Sequence, residues 1–208
     1  MNKISAVILT KDSQKHIKKV LEALSKLDEI VIVDNGSVDE TLSIAKGFEN
    51  VKLFQEEFIG FGPLKKKAIS YASNEWVLSI DSDEVASGEL VAEILSLRLD
   101  ESCWYSFEFS NYYGGKHIKC CGWYPDRHIR LFCKKSATFD EAYVHENLTP
   151  LEGKSLKEVK LNSKIVHYSY SDLSDFLVKM ERYSTLFALK NRGKKSSSPL
   201  KEIGRAHV

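Results

Sequence analysis

Trp76-Val77-Leu78-Ser79-Ile80-Asp81-Ser82-Asp83-Glu84 sends five mostly apolar residues straight into three carboxylates within four positions. A short apolar run bounded by polar residues reads as a strand buried on both faces. It ends where burial must end, because unpaired charges do not stay in a core. Asp81, Asp83 and Glu84 are therefore expected at the carboxyl end of a central strand. In open α/β sheets ligands bind at that edge. Clustered carboxylates there repel one another unless a cation joins them, and oxygen ligands suit a hard ion such as Mg²⁺ or Mn²⁺. Taken alone, Asp-x-Asp after a strand also reads as a solvated turn leading to the helix near Ser87.

Upstream, Ile4–Leu9 is a buried-strand run ending in Thr10-Lys11-Asp12-Ser13, where Asp12 or Ser13 is expected to cap a helix. That helix carries Ile17, Val20, Leu21 and Leu24 at i, i+3, i+4 and i+7. Its lysine face reads as solvated. Ile30-Val31-Ile32-Val33 is a second strand, ending in Asp34-Asn35-Gly36-Ser37. Ser37-Val38-Asp39-Glu40 fits a capping box for a helix running to about Gly47. Val51–Phe54 is a third strand. The loop Gln55–Pro63 leads into a helix with Lys65, Lys66 and Lys67 in its first turns and Ala68, Ile69 and Ala72 on its buried side. Strand starts near residues 4, 29, 51 and 76 form a β-α-β-α repeat, which predicts a parallel sheet with right-handed crossovers. Three polar loops then share one edge. There is no G-x-G-x-x-G after the first strand and no G-x-x-x-x-G-K-[ST], so phosphate falls to metal and basic residues.

After a helix over Glu89–Leu97 the period changes. Trp104–Phe109 alternates as a half-exposed strand, and Tyr112-Tyr113-Gly114-Gly115 reads as a turn. His128–Phe132 alternates too, with His128, Arg130 and Phe132 on one face. The loop Gly122–Arg127 between them offers Trp123 and Tyr124, rings suited to sugar C–H faces. The other reading is a hydrophobic plug over the sheet. His145 and Glu146 adjoin in Tyr143–Leu148, and Ile165–Tyr168 is a short strand ending near His167. A last helix spans about Asp172 to Lys190, its stripe of Leu173, Phe176, Leu177, Met180 and Phe187 flanked by Lys179, Arg182, Lys190, Arg192, Lys194 and Lys195. It is expected to pack on the domain, with a membrane surface as the second possibility.

The 208 residues, 43% hydrophobic and 28% charged, suit one globular domain. A net charge of +1 gives no field that points to nucleic acid. No apolar run reaches the roughly 20 residues of a membrane span, and the start shows no cleavable signal pattern. Cys103, Cys120, Cys121 and Cys133 form no C-x-x-C pair and read as reduced thiols. A zinc site from Cys120, Cys121 and His117 has the wrong spacing. Residues 1–195 read as one domain, with a donor half over 1–97 and an acceptor half over 98–195. Ser196-Ser197-Ser198-Pro199 reads as a linker. From Ile203 the tail matches the conceptual translation of a widely used sequencing adapter, and 196–208 is expected to end in a non-native segment.

These residues carry a family resemblance. Ile4–Thr10, Ile30–Ser37 with Asp39, Gly60–Lys67 and Leu78–Glu84 resemble the inverting glycosyltransferases of family 2, over about residues 4 to 190. Gly122–Asp126, Arg130-Leu131-Phe132 and Val144-His145-Glu146 resemble the branch of bacterial lipopolysaccharide-core heptose β-1,4-glucosyltransferases. The resemblance implies an α/β A-type glycosyltransferase fold: a Rossmann-like parallel sheet with an added antiparallel, acceptor-side part. It implies a UDP-sugar donor, with UDP-glucose expected, a divalent metal (Mg²⁺ or Mn²⁺), and a glycan or glycolipid acceptor. It places the protein in the cytoplasm or on the inner face of the cytoplasmic membrane. Thr10, Asp34, Ser37, Asp39, Lys65 and Asp81 are implied on the nucleotide-sugar, and Asp34 in particular on the uracil or ribose. Asp83 and His167 are implied on the metal; the alternative for His167 is a strand-end core histidine. Trp123, Tyr124 and Arg130 are implied on the acceptor. The family's Glu-Asp base pair is missing after the sheet, so Glu146 stands as candidate base, with His145 orienting it or contacting the acceptor. Alternatively, Glu146 forms a structural pair with Arg130. Two other functions compete. Asp81-Ser82-Asp83-Glu84-Val85 satisfies the nucleophile pattern of haloacid-dehalogenase-like phosphatases, and a non-catalytic nucleotide- or glycan-binding module would keep Asp34 and the aromatics.

Overall fold

The computed structural model describes residues 2–192. Lys194, Lys195, the Ser196–Pro199 stretch and the Ile203–Val208 tail lie outside the described residues. Strands β1 (Ile4–Thr10), β2 (Glu29–Asp34), β3 (Val51–Gln55) and β4 (Trp76–Ser79) are parallel in the order β3-β2-β1-β4. Helices α1 (Ile17–Ala23), α2 (Thr41–Ala45) and α3 (Phe61–Tyr71) connect them. Alternate residues of β2 explain why both faces are covered. Ile30 and Ile32 join the core that holds Ile17, Leu21, Leu90 and Ile94; Val31 and Val33 join the core that holds Leu64, Ala68 and Phe132.

Next come β5 (Glu84–Ala86), α4 (Gly88–Ser96), β6 (Cys103–Tyr113), β7 (Lys116–His117), β8 (Asp126–Cys133), β9 (Ala137–Phe139), β10 (Leu148–Pro150), β11 (Lys157–Tyr170) and α5 (Leu173–Asn191). The sheet continues β4-β8-β6-β11-β5. β8 runs antiparallel to β4 and β6, and β5 antiparallel to β11. The long β11 is parallel to β6, a departure from a purely antiparallel second half. β9 and β10 form a separate ribbon. Among the described residues no helix is long and apolar enough to cross a membrane.

Several local expectations change. β6 is covered on both faces rather than half-exposed: residues of both faces, including the polar Ser106, Ser110 and Asn111, are buried. Tyr112 and Tyr113 end that strand, and only Gly114 and Gly115, at φ 55° and 76°, make the turn. His167 lies within β11, not at a strand end. His16 holds the N-cap position of α1 with no side-chain cap, since Asp12 accepts instead from the Val38 N–H at 2.8 Å. The capping box at Ser37 is also absent. Asp39 accepts from the Thr41 N–H at 2.9 Å, and the helix begins only at Thr41. α5 is seated by Phe176 against Tyr170 and Tyr183 against Phe61. Its Leu173, Leu177, Met180 and Phe187 remain exposed, because the turns carrying Asp175 and Lys179 face the sheet edge.

Glu29 ties the far end of the sheet together. Its carboxylate accepts from Ser5 Oγ at 2.5 Å, from the Ser73 N–H at 2.7 Å, and pairs with Lys52 at 2.6 Å. Burial opposes the charge, yet Lys52, Ser5 and Ser73 outweigh it and hold the carboxyl down at about 2. The folded value lies below the unfolded 4.5. The stabilisation is thus complete above that pH and is lost as pH falls towards 2. Linkage makes it about 3 kcal/mol. Thermal unfolding followed over this acid range should therefore show a smaller fall for Glu29→Gln than for the parent chain. Parallel falls would remove Glu29 from the account.

Candidate active site

The carboxyl ends of β1 and β4 open onto a cleft of about 1430 Å³. The chain leaves β4 at Ser79, crosses the sheet edge through Asp81-Ser82-Asp83, and pairs as β5 with β11, putting Glu84 opposite His167. The acidic stretch is therefore a crossing between strands, which brings its carboxylates over side chains from β8, β11, α3 and α5.

Lys65 of α3 is buried, with Nζ 3.1 Å from Asp81 Oδ1 and 2.7 Å from Glu146 Oε1. Burial disfavours its charge, but Asp81 and Glu146 outweigh this and raise its pKa. Arg130 of β8 reaches the other Asp81 oxygen at 3.2 Å and also bonds Glu84 Oε1. Asp83 Oδ1 lies 3.6 Å from His167 Nε2, and Oδ2 3.4 Å from Lys179 Nζ. Burial opposes the Asp83 charge as well; His167 and Lys179 hold its carboxyl below the usual range. Three fixed cations thus meet four carboxylates. The pairing resolves one sequence alternative: the cation on Glu146 is Lys65, not Arg130. His145 lines the cleft beside Glu146 with an exposed ring and a left-handed backbone, φ 56°.

Glu146 is positioned by a close backbone approach. The N–H groups of Phe61 and Gly62 donate to the carbonyls of Tyr143 and Ala142 at 3.0 and 2.9 Å. A Cβ on Gly62 would lie 2.1 Å from the Asp140 carbonyl oxygen. Gly62→Ala should therefore push α3 off this segment, costing about 1–3 kcal/mol and parting Lys65 from Glu146. Denaturant titration together with a transfer assay would check both effects.

The residues expected on the nucleotide-sugar sort differently from the expectation. Thr10 lines the cleft and donates to Asp34 Oδ1 at 3.1 Å. Asp34 is fully buried, and its Oδ2 accepts from the Gly36 and Ser37 N–H groups at 3.0 and 2.9 Å. Ser37 Oγ bonds Asp34 Oδ1 and accepts from the Asp12 N–H at 2.9 Å. Asp39 Oδ2 accepts from the Gln14 N–H at 3.1 Å. Asp34, Ser37 and Asp39 build the loops, and the cleft is lined instead by Asn35, whose Oδ1 is buried without a protein partner. On the acceptor side Arg130 lines the cleft, whereas Trp123 packs against Tyr170 at 5.8 Å and Tyr124 stands 42% exposed; neither is part of the lining. Sequence reasoning passed over Asn35, Lys179 and Asn111. Asn35 had only its place beside Asp34 as a signal, and Lys179 was one of several basic residues on a helix.

The mixed α/β sheet with an open cleft at the ends of its parallel strands matches the A-type glycosyltransferase fold that the sequence resemblance implied. Residues 5–103 match the family model described as glycosyl transferase family 2. An uncharacterized glycosyltransferase of Rickettsia typhi is 31% identical over 95% of this chain and 72% of its own length. The lipopolysaccharide core biosynthesis glycosyltransferase LpsC of Rhizobium meliloti is 28% identical over 89% of this chain and 70% of its own. The crystal structure of Staphylococcus aureus TarS, residues 1–349, shares the fold with a TM-score of 0.54 at 19% identity, covering 89% of this chain; this chain spans 65% of that one. The chain belongs to glycosyl transferase family 2.

Proposed function

We propose that this protein transfers glucose from UDP-glucose, with inversion at the anomeric carbon, to a cell-envelope glycan of the lipopolysaccharide-core class. The likeness to LpsC supports the acceptor class. Solved TarS structures hold UDP and UDP-GlcNAc, which supports a uridine-diphosphate donor. The observation that carries the reading is Lys65 joining Asp81 to Glu146 within one cleft.

In this reading Glu146 removes the acceptor hydroxyl proton as that oxygen attacks C1. Lys65 holds Glu146 in place through the contact at 2.7 Å. Asn35 takes the uracil or ribose role expected of Asp34, because it lines the cleft whereas Asp34 is fully buried. Arg130 fixes Asp81 and Glu84 so that the acidic crossing keeps its shape. Asp83 and His167 suit a divalent ion: a carboxylate oxygen and an imidazole nitrogen approach each other at the cleft. When bound, such an ion supplies positive charge for the departing diphosphate. The exposed apolar residues of α5 support contact with the inner face of the cytoplasmic membrane, where a glycolipid acceptor would lie.

The phosphatase reading fares worse. Asp81, its nucleophile, has both oxygens engaged by Lys65 and Arg130, and its strand is the fourth. A binding module has no use for the Lys65–Glu146 pair. A screen of nucleotide-sugars for slow hydrolysis tests the proposal. UDP-glucose turnover with Mn²⁺ that stops on chelation is expected; no UDP binding in the presence of Mn²⁺ would end it.

A further inference from the structure

We infer that Asn111 is a positioning residue that presents His167 as a ligand and fastens it to the Trp123 loop. The inference rests on the reading above that Asp83 and His167 take the metal. Asn111 lies directly opposite His167 in the β6–β11 pairing and is 5% exposed. Its Oδ1 is 2.8 Å from His167 Nδ1.

An amide oxygen only accepts, so Nδ1 carries the proton in this contact. Nε2, the other nitrogen, faces Asp83 Oδ1, which without an ion favours a proton there, so the Nε2 lone pair becomes available as an ion takes that proton's place. A metal-binding histidine needs this arrangement: the second nitrogen is held by an acceptor so that ring and tautomer are fixed.

The direction of the amide is itself forced. Asn111 Nδ2 lies 2.7 Å from Asp126 Oδ2 and 3.2 Å from the Trp123 carbonyl oxygen, both of which accept only. A flipped amide would set oxygen against oxygen at both contacts. It would also turn its N–H groups towards Nδ1 and move the ring proton to Nε2, blocking the ligand. Ser169 Oγ, 3.1 Å from Nδ1, and the edge of Phe109 complete the ring's setting. One buried amide therefore uses its oxygen on the ligand and its two protons on the loop that carries Trp123 and Tyr124.

Asn111→Leu and the exchange Asn111→Asp/Asp126→Asn test this. The exchange keeps an acceptor for Nδ1 and a donor–acceptor pair with position 126, and gives up the contact to the Trp123 carbonyl. Ring ¹⁵N shifts read whether His167 Nδ1 keeps its proton, and spectroscopic titration of free Mn²⁺ in the presence of UDP reads affinity. Asn111→Leu is expected to lose the Nδ1–H form and to bind Mn²⁺ about 10–100-fold more weakly, and the exchange to recover most of both. Wild-type Mn²⁺ affinity in Asn111→Leu would overturn the positioning role alone. A parent chain that holds the Nδ1–H form yet binds no Mn²⁺ would overturn the metal reading and, with it, the ligand role of His167. If Asn111→Leu does not fold, the exchange decides: loss of Mn²⁺ affinity despite a retained acceptor counts against the inference.

Discussion

Glu146→Gln is expected to lower kcat/KM for sugar transfer about a thousandfold, equivalent to about 4 kcal/mol of transition-state stabilisation. The replacement keeps the side chain's size and an oxygen that accepts from Lys65, so the contact at 2.7 Å survives in kind. What disappears is the capacity to take a proton from the attacking hydroxyl. Binding of the UDP donor should be unchanged, because Glu146 reaches the donor side only through Lys65. The informative measurement is transfer rate set beside UDP affinity in the same variant. Near-normal turnover would strip Glu146 of the role. A joint loss of UDP affinity and rate would recast it as structural support for Lys65.

Asp83→Asn is the second large effect. Asp83 is held by His167 at 3.6 Å and Lys179 at 3.4 Å, both long for charged hydrogen bonds. The carboxylate is thus oriented but loosely engaged, a state that suits exchange of partners. Removing its charge should abolish activation by Mn²⁺ and lower transfer by about two to three orders of magnitude, in line with the several kcal/mol a metal contributes to charge stabilisation. Initial rates against Mn²⁺ concentration would show this as a flat line near the chelated baseline. A variant with an unchanged activation curve would relocate the ion. Lys179 makes the control useful: with Asp83 neutral its nearest remaining carboxylate is Asp175, at 4.0 Å. Residual metal-independent activity in Asp83→Asn that vanishes in Asp83→Asn/Lys179→Met would assign Lys179 to the diphosphate.

Much of the parallel part of the sheet was legible in the sequence because β1, β2 and β4 are buried on both faces. Such strands read as unbroken apolar runs, and polar loops mark their ends, so Ile4, Glu29, Val51 and Trp76 fall where the repeat put them. β6 was under-read for the opposite reason. Ser106, Ser110 and Asn111 are polar yet buried, so an alternation that looked half-exposed was in fact covered. The site split along similar lines. Asp81 and Asp83 announced themselves by crowding three carboxylates into four positions. Asp34 and Asn35 are neighbours of similar polarity, and only the turn decides which one points inward. The Lys65–Glu146 contact joins residues far apart in the chain, and neither end carries a local signal of the other.

The seam between the halves has an evolutionary consequence. Val77 of β4 pairs with Phe132 of β8, and the α3 N–H groups of Phe61 and Gly62 are capped by carbonyls that arrive only after residue 140. Grafting a different segment behind Leu97 would succeed only if the newcomer matched that strand edge and that glycine together. Recombination within the family should therefore favour crossover points that leave both intact, and specificity is expected to drift through the rim loops rather than by wholesale exchange of halves.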